Sequence, residues 1–376
     1  MKLLLFILTT LQLVTTFTNG EKIESKQTSH LRGTTRKLHA VSTSDLSAFD
    51  EILHLHDESE TELYKQMDSQ STSSLNGYEN STLSDDEIKV LTFNLKVPSY
   101  FTDGKNAWKY RKGKVIELIQ KIQPTILGTQ EGVSFVLEQL QEGIGEHHYG
   151  RFGAARDPKR LIALQPNEHN QIFYDKSKVE FMIGNNFWLS ENPNEPGKSA
   201  GFHGNHRRIV TWAKFKLKST GQEFFVFNTH LDNKDIENGN SEARVKGIDL
   251  LIKEMKSITS QCPDTPVIVM GDFNSKRDAY PHKALIEKNG FRDAWTEAES
   301  QEGEVAYSFH NWLGVANPLE LHCMNSDPGS EQIDFITYYP SSISVRKTSV
   351  ITEKWERYGE DRYYSDHFPI LSYLTL

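Results

Sequence analysis

Six short apolar stretches in the region 88–376 each deliver a carboxylate, an amide or an imidazole at or near their ends. Val90–Leu95 carries Asn94, Leu127–Glu131 ends on Glu131, and Phe225–Asp232 brings His230. Pro266–Asn274 runs through four apolar residues into Gly271-Asp272-Phe273-Asn274. Gln332–Ile336 holds Asp334 among apolar neighbours, and Ser365-Asp366-His367 leads into Phe368–Leu374. Continuous apolar runs of this length read as buried strands. A carboxylate such as Asp334 within one of them is costly to bury without a partner. Strand ends converge where sheets pack, so the pattern points to one polar site fed by several strands. Asp272 and Asn274, two residues apart, can face the same side of an extended segment. An Asx-capped turn is the alternative for Gly-Asp, and Gly271 permits a sharp turn there.

Between these stretches the period changes. Val115, Leu118, Ile119 and Ile122 recur at helical spacing, which predicts an amphipathic helix over 108–122 that Pro124 stops. Val245, Ile248, Ile252 and Met255 predict another. Further strands are expected near 171–175, 181–189, 209–217, 223–230, 332–338, 345–351 and 367–374. Strands alternating with helices, with several hairpins, imply an α/β sandwich of mixed sheets.

The 376-residue chain is not uniform. Its start, Met1-Lys2 followed by Leu3–Leu8 and then small and polar residues to Gly20, reads as a cleaved secretory signal over 1–20 and is too short to span a bilayer. Residues 21–86 are rich in Ser, Thr and acids and are expected to be a disordered leader or pro-segment, with the folded domain over 87–376. Secretion is therefore the expected localisation, and Asn80-Ser81-Thr82 is an acceptor such a chain could use. Of the formal net charge of −9, residues 1–87 contribute −7 and the remainder −2. A near-neutral domain gives no support for non-specific gripping of long nucleic acid, which calls for a basic face. Cys262 and Cys323 are too few for a disulfide framework, and no Cys/His spacing suits zinc.

In order along the chain, Thr92-Phe93-Asn94, Gln130-Glu131, Thr229-His230-Leu231-Asp232, Gly271–Asn274, Ile333-Asp334 and Ser365–His367 resemble the motifs of the endonuclease/exonuclease/phosphatase superfamily. The resemblance covers about 88–376. Asn106-Ala107-Trp108 with Arg111, Phe187–Glu191 and Arg208–Trp212 are similar to a bacterial or extracellular branch near the deadenylase-like members. It implies a four-layer α/β/β/α sandwich (DNase I-like) with its site at one end. It implies Glu131 as the principal Mg²⁺ ligand, assisted by Asn94 and Asp366, with Mn²⁺ as a substitute. Asp272 and Asn274 would orient the attacking water and the phosphate. His367, held by Asp334, would act as base or phosphate ligand, and His230 would bind phosphate near the leaving group. Glu168 is similar to the acid that orients this histidine in some members. Arg208 would clamp phosphate, with Arg156 a weaker candidate. Trp188 and Trp212 lie in apolar strands and are expected in the core.

The function implied is Mg²⁺-dependent phosphodiester hydrolysis by a monomer, with nucleic acid as partner, as in 3′–5′ exonucleases of RNA. A phosphatase or phosphodiesterase for small molecules or lipid head groups is the rival enzyme class. A secreted effector or binding protein that keeps the fold without catalysis is the third reading, against which the complete motif set argues.

Overall fold

The computed structural model describes residues 83–99, 103–158, 167–196, 201–234, 240–315, 332–357 and 359–376. The expected signal, the leader as far as residue 82, the Asn80 acceptor and Cys323 lie outside the described residues.

Two strands that lie parallel need a crossover between them, and each sheet is organised around one such unit. In the first, β1 (Glu87–Asn94) pairs in parallel with β2 (Ile126–Gly132) and the connection contains α1 (Trp108–Ile122). In the second, β7 (Glu223–His230) pairs in parallel with β8 (Val267–Asp272) across α3 (Glu242–Thr259). The first sheet adds β3 (Tyr149–Phe152), β4 (His169–Asp175), β10 (Ser300–Glu302), β12 (Ser344–Val350) and β15 (Ile370–Thr375). Its order is β10-β12-β15-β1-β2-β4-β3. The second adds β5 (Val179–Trp188), β6 (Ile209–Leu217), β9 (Arg292–Asp293) and β11 (Asp334–Tyr339), in the order β5-β6-β7-β8-β11-β9. A small ribbon pairs β13 (Trp355–Arg357) with β14 (Glu360–Arg362).

Three apolar layers follow from strand alternation. Val90, Ile126, Ile172, Phe215, Val226, Ile268, Met270 and Ile336 fill the space between the sheets. Leu91, Phe93, Leu127 and Phe173 point the other way, onto α1 and α2 (Ser134–Ile144). Phe225, Phe227, Val269 and Phe335 do the same on the second sheet, under α3 and α4 (Tyr280–Asn289). The result is the four-layer α/β/β/α sandwich. Helix α1 occupies 108–122 as the spacing predicts, and Gln123 ends it in a left-handed conformation. Two further helices add to those expected: α2, whose buried face is Val136, Leu137, Leu140 and Ile144, and α4, which has Pro281 in its first turn and a left-handed Gly290 after its end. Among the described residues, no helix is long and apolar enough to cross a membrane.

At one end the inter-sheet space turns polar. Asn228 on β7 is fully buried and donates from Nδ2 to the carbonyls of Thr129 (3.0 Å) and Gln171 (2.9 Å) on the first sheet. Its Oδ1 accepts from Gln130 Nε2 at 2.7 Å. Asn170 and Thr211 make a second clasp, with Asn170 Nδ2 donating to the Ile209 carbonyl and Thr211 Oγ1 to that of Asn170. These bonds fix the relative height of the sheets, which decides whether side chains from both can meet.

Candidate active site

Register places three of the functional side chains on one rung. His230 on β7 is opposite Asp272 on β8, and Asp272 is opposite Asp334 on β11. The strands can come this close because Gly271 (φ 137°) carries no side chain: a Cβ there would sit 1.9 Å from the Thr229 carbonyl oxygen. Gly271 thus serves a close approach inside β8, not the sharp turn expected of it. The turn comes after it. Asn274 adopts a left-handed conformation (φ 47°), and its N–H donates to Asp272 Oδ1 at 2.8 Å. The Asx turn and the site are therefore one structure. Asn274 Nδ2 is fastened to the Leu231 carbonyl at 2.9 Å.

The first sheet contributes Asn94 and Glu131. Asn94 Nδ2 donates to Glu131 Oε1 (3.1 Å) and to Asp272 Oδ2 (2.9 Å), joining the sheets. Glu131 is left-handed (φ 60°) at a register shift between β2 and β4, so the irregularity aims its carboxylate. Burial opposes its charge, but Lys96, the Val97 N–H at 2.8 Å, His367 and Asn94 together hold its carboxyl below the usual range.

His367 does not lie in a strand. Residues 367–374 were expected to be extended, yet β15 begins only at Ile370. The segment before it bonds instead to an unanticipated partner: Phe368 N–H donates to the Ser308 carbonyl and His310 N–H to that of Asp366. Ser308 Oγ also accepts from the Ile333 and Asp334 N–H groups at 3.0 and 3.1 Å. Tyr307–His310, outside every strand and helix the sequence predicts, is thus the brace that brings His367 to Asp334. Their Nδ1 and Oδ2 are 2.8 Å apart. Burial disfavours the imidazolium, but Asp334, Asp272 and Asp366 overcome it and raise His367 to about 10. His230 behaves oppositely: burial, then Arg208 and Arg156, push it well below its ordinary value, and its Nε2 lies 3.3 Å from Asp272 Oδ2. Asp272 is raised to about 7 by burial and by Asp334.

Glu131, His230 and Asp272 offer ligand atoms within 4.8 Å of one another, and so do Asp272, Asp334 and His367. Asp366, expected beside the metal, is in neither group; its Oδ2 lies 3.0 Å from Lys96 Nζ. Glu168 is not set against His230 as expected. It holds Arg156, with Nη1 to Oε2 at 2.7 Å. Arg208 is buried beside these groups, with Asp232 Oδ2 3.9 Å from its Nε, and that Nε has no hydrogen-bond partner among the described residues. Asp334 Oδ1 is in the same condition. A buried cation acting on His230 and a buried anion acting on Asp272 thus each keep one atom with unspent bonding capacity. Trp212 packs on Phe225 and Phe227, as expected of a core residue, and Trp188 Nε1 donates to the Arg156 carbonyl.

The sequence pattern described as Endonuclease/Exonuclease/phosphatase family matches residues 91–367, from the core of β1 to His367 itself. The chain belongs to the endonuclease/exonuclease/phosphatase family. Members of this family hydrolyse phosphate esters with a divalent metal. Protein angel of Drosophila melanogaster is 26% identical over 206 residues, which are 53% of this chain and 52% of that protein. The probable CCR4-Not complex 3′-5′-exoribonuclease subunit Ccr4 of Encephalitozoon cuniculi is 26% identical over 155 residues, 38% of this chain and 28% of that protein. The chain thus spans about half or less of the curated relatives' length. Among solved structures, the mannosyl-6-phosphatase of Bacteroides thetaiotaomicron is 29% identical with a TM-score of 0.66, over 77% of this chain and 100% of that one.

Proposed function

We propose that this chain is a secreted, Mg²⁺-dependent hydrolase of phosphate esters, with Mn²⁺ as a substitute. The observation that carries this is the meeting of His230, Asp272 and Asp334 on one rung with Glu131 and Asn94 from the opposite sheet. The donor set suits a small hard cation: Glu131 and Asp272 offer carboxylate oxygens within 4.8 Å of each other and of a His230 ring nitrogen, and Asn94 holds the two carboxylates together. Such a cation neutralises charge on the phosphoryl group.

The protein's own residues supply the rest. Asp272, which a cation beside it would hold as a carboxylate, would accept the proton of the attacking water from the rung; as the new P–O bond forms the ester P–O bond breaks, and the leaving oxygen takes a proton from solvent. Asn274, anchored through Nδ2, keeps Oδ1 for positioning that water. His367 remains an imidazolium between Asp334 and Asp272, which makes it a donor to phosphoryl oxygen and not the base. His230, kept neutral, hydrogen-bonds the ester on the leaving side. Arg208 offers its guanidinium, whose Nε makes no hydrogen bond among the described residues, to the phosphate.

For the molecule carrying the ester, nucleic acid is the leading reading, with RNA trimmed from its 3′ end. The Ccr4 relative, named as a 3′-5′-exoribonuclease, supports it. A sugar phosphate is the second reading. It is favoured by the full-length likeness to a mannosyl-6-phosphatase and by the near-neutral charge of the domain. Initial rates on single-stranded RNA, single- and double-stranded DNA, sphingomyelin and hexose 6-phosphates discriminate. Selective shortening of RNA is expected. Preferential release of inorganic phosphate from a hexose phosphate would replace the nuclease reading, and no turnover of any ester would overturn the proposal.

A further inference from the structure

Lys96, two residues beyond Asn94, was not among the side chains expected in the site. Its backbone is left-handed (φ 58°), a conformation that costs an L-residue free energy unless its surroundings impose it. Here they do. Its N–H donates to Asn94 Oδ1 at 3.0 Å, and its carbonyl accepts from Arg111 Nη2 at 3.0 Å. Arg111, a buried residue of α1 itself, also donates to the Tyr364 carbonyl at 2.9 Å, which ties this turn to the segment carrying Asp366. The lysine side chain is thereby turned inward.

Its ammonium meets Asp366 Oδ2 at 3.0 Å, while Asp366 Oδ1 accepts from Ser365 Oγ at 3.2 Å. Both oxygens of this 2%-exposed carboxylate are engaged. The next residue in the same turn, Val97, donates its N–H to Glu131 Oε2 at 2.8 Å, so the turn lies against both acids. Lys96 therefore places a fixed positive charge between two acids at the mouth of the site. A divalent cation sharing Asp366 with it would meet strong repulsion at contact distance in a partly dehydrated setting.

We propose that Lys96 is a resident cation: its ammonium takes the place a second metal ion would occupy, keeps Asp366 out of the ligand set and limits the site to one divalent cation near Glu131 and Asp272. This rests on the metal-dependent reading above and assigns Lys96 a positioning role. It also separates this chain from an arrangement in which Asp366 ligates directly, as the sequence motif alone suggests.

The test counts ions instead of turnover. Full-chain protein is stripped with EDTA, dialysed and titrated with Mn²⁺ by calorimetry, with free Mn²⁺ followed by electron paramagnetic resonance. The unsubstituted protein is expected to bind one equivalent, Lys96→Met two, the second more weakly, and Lys96→Arg one. Asp366→Asn, which does not depend on Lys96→Met folding, should keep one equivalent with affinity within about threefold, whereas outer-sphere or direct ligand losses cost about tenfold or more. Two equivalents in the unsubstituted protein, one in Lys96→Met, or a tenfold loss in Asp366→Asn would each overturn the role of Lys96. Absence of any Mn²⁺ binding would overturn the metal-dependent reading as well, so the two failures are distinct.

Discussion

His367 and Asp272 are both raised by the fold, with opposite effects on its stability, and each effect can be measured away from catalysis. His367 has an ordinary value of 6.5 and is raised to about 10 in the fold. Below about pH 6.5 both folded and unfolded forms are protonated, and the ion pair with Asp334 stabilises the fold in full. As pH rises through 10 that contribution is lost. Asp334→Asn should therefore lower the urea midpoint most at pH 6, with the gap closing towards pH 10; a gap independent of pH would show that Asp334 does not hold the charge. Asp272 is raised from 3.8 to about 7, so the fold favours its protonated form and bears a cost once the pH exceeds both values. In EDTA-treated protein at pH 8, Asp272→Asn should melt higher than the unsubstituted chain, while hydrolysis falls on the order of hundredfold or more. At pH 4 the melting advantage should vanish. Stability given up at a catalytic carboxylate is a common trade, and a lower Tm for Asp272→Asn at pH 8 would show that Asp272 is not a strained charge.

At the scale of elements, the closeness of β7, β8 and β11 is what makes the rung. Gly271→Ala would drive a methyl into the Thr229 carbonyl and force a left-handed alanine. A loss of about 3 kcal/mol is expected, from overpacking together with backbone strain, with metal affinity falling in parallel because Asp272 moves away from Glu131. Thermal melts and Mn²⁺ titration check this, and an unchanged melt would mean that the strands can separate freely. The strands were legible because each is a short apolar run with a polar end, a pattern set by burial on both faces. The functional side chains at their ends were legible for the same reason. What the strand pattern could not show is how neighbouring segments come together. Ser308 and the Tyr307–His310 brace gave no periodic signal, since their role is to accept and donate backbone bonds across 25 or more residues. Glu168 and Asp366 were visible as acids, but which cation each would meet depended on Arg156 and on a left-handed Lys96. A backbone angle of that kind is imposed by tertiary contacts and is not written in residue type.

Over the whole molecule, two parallel units face each other and their strand ends open at one edge. Asn228 and Asn170 set the height at which those edges meet. The arrangement accounts for why six separated segments form one site, and why that site has both hard oxygen donors and buried cations. It specifies the bond attacked more tightly than the molecule carrying it. The most direct measurement is hydrolysis of a phosphate ester by the full chain as a function of divalent cation. Activity should vanish in EDTA, return with Mg²⁺ or Mn²⁺, and stay absent when Asp272→Asn is given the same ions. Turnover that persists in EDTA, or in Asp272→Asn, would contradict the assignment of this cleft as a metal-dependent phosphoesterase site.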